Sequence, residues 1–172
     1  LDFVSAKLLD VSLYLDFLNT PSGSTPTFRL NVVQFYKEFK VLDYTMMAVP
    51  VPHSVPAAGY QISSGNARLF YTGDVGEGLN DAWKHVSPGV LLAEVTWGDD
   101  NQARALEVGH LTPALLGEGL SSFERERGYL PRVIVTHVNP SWEGTIRQEL
   151  EDLSRRLGVV ILVSHADMIV NL

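Results

Sequence analysis

Residues 51–74 read VPHSVPAAGYQISSGNARLFYTGD. Two apolar-rich runs, GYQIS from Gly59 and ARLFYT from Ala67, are joined by Ser64, Gly65 and Asn66, the composition of a hairpin-like link. His53 precedes the first predicted strand and Asp74 follows the second, so two side chains able to bind metal reach the same rim of a sheet. Further along, Glu94 ends the apolar run from Leu91, His110 lies in GHLT, and His137 lies in VTHVNP. Each polar residue follows a hydrophobic segment. Open α/β sheets gather residues from distant positions into one cleft at the strand ends, which is where their ligands bind.

Downstream of this stretch the pattern is that of a layered α/β fold. A glycine-rich loop, GDVGEG, leads to a short helix predicted around Asp81 to His85. Val90 to Val95 is a continuous apolar run expected of a strand buried on both faces. Thr112 and Pro113 form an N-cap and first helical residue for a helix reaching Arg127, with Gly128 as its stop. Arg132 to Thr136 predicts a strand. Trp142, Ile146, Leu150, Leu153 and Leu157 then align on one helix face, Gly158 ends that helix, and Val159 to Val163 is the next strand. Trp142 is expected in the core. The run Glu124 to Arg127 reads as a solvated helix face, and Glu143, Glu149, Glu151 and Asp152 are expected to face water.

Upstream, the three- and four-residue spacing of Leu1, Val4, Leu8, Val11, Leu15 and Leu18 predicts a helix, although Val11, Leu13, Leu15 and Phe17 also alternate as a strand would. PSGSTP, residues 21–26, reads as a turn. Residues 28–39 and 44–51 carry strand composition.

At 172 residues, 45% hydrophobic and 19% charged, the chain fits one soluble domain spanning 1–172. No stretch approaches the ~20 apolar residues of a membrane span. The absence of cysteine excludes disulfides, thiolate metal sites and a cysteine nucleophile, leaving histidine and carboxylate to hold any metal. A net charge of −7 disfavours a partner gripped through many phosphates, such as a long nucleic acid. No secretory signal is read at the start of the sequence, and a cytoplasmic location is the expectation.

Taken singly, each candidate residue has a structural reading. His53 between prolines is an ordinary loop histidine, Asp74 in TGD a turn residue, and His137 ahead of Asn139 and Pro140 a helix-capping residue. Glu94 stands apart, because a carboxylate closing a buried apolar run needs a partner or an ion. The functional reading rests on the ordered set.

That order, VPHSVPAAGYQI, LFYTGD, LLAEVTW, GHLTP and VTHVNP, resembles the C-terminal two-thirds of a metallo-β-lactamase-fold hydrolase. Within that superfamily it is most similar to the class II cyclic-nucleotide phosphodiesterases and, next, to the RNase Z group. The resemblance covers roughly residues 49–172. It implies the C-terminal portion of a four-layer αβ/βα sandwich, with His53, Asp74 and His137 as metal ligands. The GHLTP segment with the preceding glutamate is the part most specific to the phosphodiesterase branch. The family's first metal motif, His-x-His-x-Asp-His, is not found: no two of His53, His85, His110, His137 and His165 are separated by a single residue. The reading is therefore of an incomplete fold whose upstream half lies in a missing N-terminal segment or a separate chain; a homodimer is also compatible.

The chemistry expected from this resemblance is cleavage of a small phosphodiester, such as a cyclic nucleotide, with the help of two divalent ions. An RNase Z-like endoribonuclease, or a non-catalytic homologue acting as a scaffold, are the alternatives. Asp74 is the type of ligand that bridges two ions, and His53 and His137 suit terminal positions. Zinc fits such nitrogen-rich sites, with manganese or iron as substitutes. His110 is expected to act as general acid and Glu94 as the carboxylate orienting it.

Overall fold

The computed structural model describes residues 21–22 and 25–171 and divides into two compact units, Leu1–Gln34 and Phe35–Leu172. The helix expected over residues 1–18 lies outside the described residues. In the first unit, Pro21–Ser22 (β1) pairs antiparallel with Thr25–Pro26 (β2).

The strand expected over residues 28–39 is not formed; regular pairing begins only at Glu38–Val41 (β3). Phe28, Val32 and Phe35 are exposed, and Tyr36 adopts a positive φ of 62° that breaks the run. Strand propensity there finds no face to bury, and propensity alone does not hold a strand.

The second unit contains β3, Tyr44–Val51 (β4), Ala57–Ser64 (β5), Ala67–Tyr71 (β6), Asn80–Trp83 (α1), Val90–Glu94 (β7), Gln102–Val108 (α2), Pro113–Arg127 (α3), Arg132–Thr136 (β8), Glu143–Leu157 (α4) and Ile161–Val163 (β9). Its seven strands form one sheet in the order β3 to β9. The pairings are antiparallel from β3 to β6 and parallel from β6 to β9. The mixed α/β architecture expected from the sequence is thus present.

Register explains the core. Phe70 pairs with Leu91, Leu91 with Val133, and Ala93 with Val135, which puts these residues on one face, where all are buried together with Trp83, Leu120, Phe123, Ile146 and Leu150. The helices fulfil the spacing read from the sequence. Thr112 Oγ1 accepts from the Leu115 amide at 3.3 Å, Pro113 opens α3, and Gly128 closes it at φ 77°. Gly158 closes α4 at φ 64°, while Ile146, Leu150 and Leu153 are buried. Burial of each such side chain contributes about 1.5–3 kcal/mol.

Two expectations need correction. Trp142 is 38% exposed rather than in the core, because it is the N-cap residue before α4 and not part of the helix's buried stripe. Glu149 is half-buried: its Oε2 accepts the Asp99 amide at 3.1 Å, which ties α4 to the short 3-10 turn at Asp99–Asn101. That turn and α2 went unread in the sequence because α2 buries only Ala105 and so carries no apolar stripe.

Burial is the main cause raising the Glu149 carboxyl above its ordinary value, and Asp99 and Asp100 push the same way against the Asp99 hydrogen bond. A folded-state pKa above the unfolded one means that the native state holds this proton more tightly, so ionisation of Glu149 opposes folding as pH rises through the folded value. Glu149→Gln keeps an acceptor for the Asp99 amide and is expected to raise the thermal midpoint modestly at pH 7. Thermal denaturation against pH should show that gain shrinking as pH falls through the carboxylate range.

Candidate metal centre

The sheet topology gathers the site. β4 and β6 are both antiparallel to β5, so they run the same way, and β7 and β8 continue in that direction. The C-terminal ends of four strands therefore share one edge. His53 follows β4, Asp74 follows β6, Glu94 ends β7, and His137 follows β8. His110 arrives from the connection between α2 and α3.

Glu94 is the buried anchor, with 1% of its surface exposed. Its carboxylate accepts from His110 Nδ1 at 2.7 Å, from the Thr96 hydroxyl at 2.9 Å and from the Val75 amide at 3.2 Å. Three donors replace the water a buried carboxylate would lose. The Val75 contact also fixes the loop that carries Asp74.

Hydrogen-bond roles then set the histidine tautomers. A carbonyl only accepts, so His53 Nδ1 carries its proton toward the Gly109 carbonyl at 2.6 Å and leaves Nε2 with a free lone pair. His110 donates through Nδ1 to Glu94 and likewise leaves Nε2 free. The Thr96 hydroxyl uses its single proton on Glu94, so it accepts from His137 Nδ1 at 3.1 Å; His110 Nδ1 lies at 3.3 Å. An imidazole oriented by a carbonyl or carboxylate at one nitrogen, with the other free, is the arrangement seen in metal-ligating histidines.

The structure brings together all five residues expected from the sequence. His137 Nδ1 lies 3.5 Å from Asp74 Oδ1, and the ring of His110 stands 5.0 Å from that of His53 and 5.5 Å from that of His137. His53, Asp74 and His110 offer donor atoms within 4.8 Å of one another, as do Glu94, His110 and His137. His110 thus belongs to both groups, at the middle of the cluster. Asp74 and His137 are about half exposed, whereas His110 is largely covered. Imidazole and carboxylate donors at these separations fit a divalent cation.

Local backbone supports the arrangement. His137 holds a φ of 57°, a conformation costly for a non-glycine residue and common at functional sites. Gly76 donates its amide to the Pro52 carbonyl at 2.7 Å. Gly109 adopts φ +75°, and a Cβ there would stand 2.7 Å from the Ser54 amide nitrogen. Gly109→Ala is therefore expected to destabilise the protein by about 1–3 kcal/mol and to displace His53. Chemical denaturation, with the His53 ring signals followed by NMR, checks both effects.

Sequence reasoning passed over Thr96, which joins Glu94, His110 and His137 through one hydroxyl. Its only signal was a position two residues beyond Glu94. His165 is exposed and bonds its neighbour's carbonyl, and His85 packs its ring on Tyr36; the site uses neither.

Residues 4–138 match the family model described as "Beta-lactamase superfamily domain". The chain belongs to this superfamily. Among solved structures, yeast PDE1 is similar at 18% identity with a TM-score of 0.79, over 95% of this chain and 55% of that one. YhfI of Bacillus subtilis, a metallo-β-lactamase fold protein, is similar at 16% identity and TM-score 0.63, over 79% of this chain and 53% of that one. The short form of human tRNase Z (ELAC1) is similar at 18% identity and TM-score 0.55, over 77% and 45% respectively. These likenesses establish the metallo-β-lactamase fold. The chain spans about half the length of the structures it matches. A search of curated proteins returned no match. Among the described residues, no helix is long and apolar enough to cross a membrane.

Proposed function

We propose that this chain is the C-terminal part of a metal-dependent phosphodiesterase acting on a small phosphodiester such as a cyclic nucleotide. The observation that carries this reading is the convergence of His53, Asp74, Glu94, His110 and His137 on one sheet edge, with donor atoms within 4.8 Å in each of two groups. His53, Asp74 and His137 would hold divalent metal, zinc by ligand type with manganese or iron as substitutes. Bound metal supplies an acidified water and neutralises charge on the phosphoryl oxygens.

The remaining work falls to the chain's own residues. Glu94 holds His110 through Nδ1 and so directs Nε2 toward the open side of the cluster. From Nε2, His110 delivers a proton to the departing alkoxide, which leaves poorly without one. Thr96 keeps Glu94 and His137 in register. Further ligands for a second ion would have to come from a segment or chain carrying the His-x-His-x-Asp-His motif.

Acidic net charge supports a small substrate over RNA, since nucleases surround their clefts with cations. Only 20 residues separate His53 from Asp74, which gives no room there for an RNA-clamping insertion. Assay of the assembled protein with zinc or manganese on cyclic nucleotides, bis-p-nitrophenyl phosphate and a structured RNA tests the proposal. Turnover of the small diesters is expected. Preference for RNA would indicate an RNase Z-like endoribonuclease, and inactivity on all three a non-catalytic scaffold.

A further inference from the structure

We propose that a cleft at the opposite end of the sheet binds a small phosphate-bearing molecule through Arg68 and Arg132. The cleft has a volume of about 600 Å³ and is lined by Asn66, Arg68, Ser87, Tyr129, Arg132 and Asn171 among others. It lies where β7 and β8 begin, whereas the metal centre lies where they end. The four residue steps from Val90 to Glu94 alone span roughly 13 Å, so the two sites are separate.

The charge of the cleft is unbalanced. None of the described residues lining it carries a side-chain carboxylate, and neither arginine takes part in the ion pairs found among the described residues. Arg68 Nη1 donates to the Ser87 hydroxyl at 2.7 Å, and Arg132 Nη2 to the Asn171 carbonyl at 2.8 Å. Both partners are neutral. Arg132 Nε is buried and makes no hydrogen bond, an arrangement that native proteins rarely leave without an acceptor. On a chain of net charge −7, two arginines line one cleft, and neither has an anionic partner among the described residues.

Planar guanidinium forks match the oxygens of a phosphate, each able to donate two parallel hydrogen bonds. The volume suits a nucleotide-sized molecule rather than a bare ion. Tyr129 anchors its hydroxyl on the Pro88 carbonyl at 3.0 Å and packs its ring against Phe123, yet the residue is 38% exposed and offers an aromatic edge to a base. Burial pushes its phenol up from the usual value, so the ring stays uncharged beside an anion. The competing role is that the arginines only tie down neighbouring segments, Arg68 through Ser87 and Arg132 through Asn171.

Calorimetric titration of the intact chain, stripped of metal with chelator, decides between them, with AMP as ligand and adenosine as the control lacking phosphate. Saturable binding of AMP and a much weaker response to adenosine are expected. Arg68→Ala, at an exposed position, leaves the fold intact by circular dichroism and weakens AMP binding about tenfold or more, the usual worth of a charge-assisted hydrogen bond. Arg132→Lys, which keeps the charge and most of the stem, weakens it as well, and Asp74→Asn leaves it unchanged. Absent saturation, adenosine binding as tight as AMP, arginine variants that bind normally, or loss of binding in Asp74→Asn would each overturn the proposal.

Discussion

Asp74→Asn is expected to lower metal affinity of the assembled protein by more than ~100-fold, beyond the loss typical for residues that only support a ligand, and to take phosphodiester hydrolysis to background. Asparagine preserves the shape of the side chain and removes its negative charge, and the charge is what a divalent ion needs most at this position. The fold should survive. Asp74 is half exposed, and its approach to His137 is 3.5 Å, too long to carry structural weight. The loop around it is held independently by the Val75 amide on Glu94. Metal analysis after dialysis, with circular dichroism as the control for folding, tests this. A variant that retained its metal and its activity would remove Asp74 from the ligand set.

His110→Ala should keep bound metal and lose roughly 10²–10⁴-fold in turnover, the usual worth of general acid catalysis. The loss should be largest for substrates that expel an alkoxide and should shrink with p-nitrophenolate, which departs without a proton. The geometry makes this a discriminating experiment. His110 lies among the candidate ligands in both donor groups, and its 2.7 Å bond to Glu94 orients the ring equally well for binding a cation or donating a proton. Release of metal from the variant, or an equal loss with good and poor leaving groups, would assign His110 to the ligand set instead.

The parts of the fold legible in the sequence are those where local chemistry and burial agree. α3 could be bounded to the residue because Thr112, Pro113 and Gly128 each satisfy a terminus in the way their side chains or backbone allow. α4 was marked by Ile146, Leu150 and Leu153 on one stripe, and the parallel strands by their apolar runs. Residues 28–39 misled because β-branched and aromatic side chains favour a strand only where a second surface covers them. Trp142 and Glu149 misled for a related reason. Exposure at a helix's start, and a hydrogen bond to a turn fifty positions away, depend on neighbours that periodicity does not reveal.

The sequence by itself determined which residue types could do chemistry here and which of them would close or follow an apolar segment: without cysteine, histidine and carboxylate had to hold any metal, and His53, Asp74, Glu94, His110 and His137 each stand at such a position. Only the tertiary structure decided how they face one another. It alone placed Thr96 between Glu94 and His137, turned the Nδ1 of His53 onto Gly109, put His110 at the centre of the cluster, and set Arg68 and Arg132 on the wall of one cleft. The physical reason is range. Caps, turns and helix stripes are settled within a few residues, whereas hydrogen-bond partners and metal-ligand distances are set by which strands lie side by side and in what register.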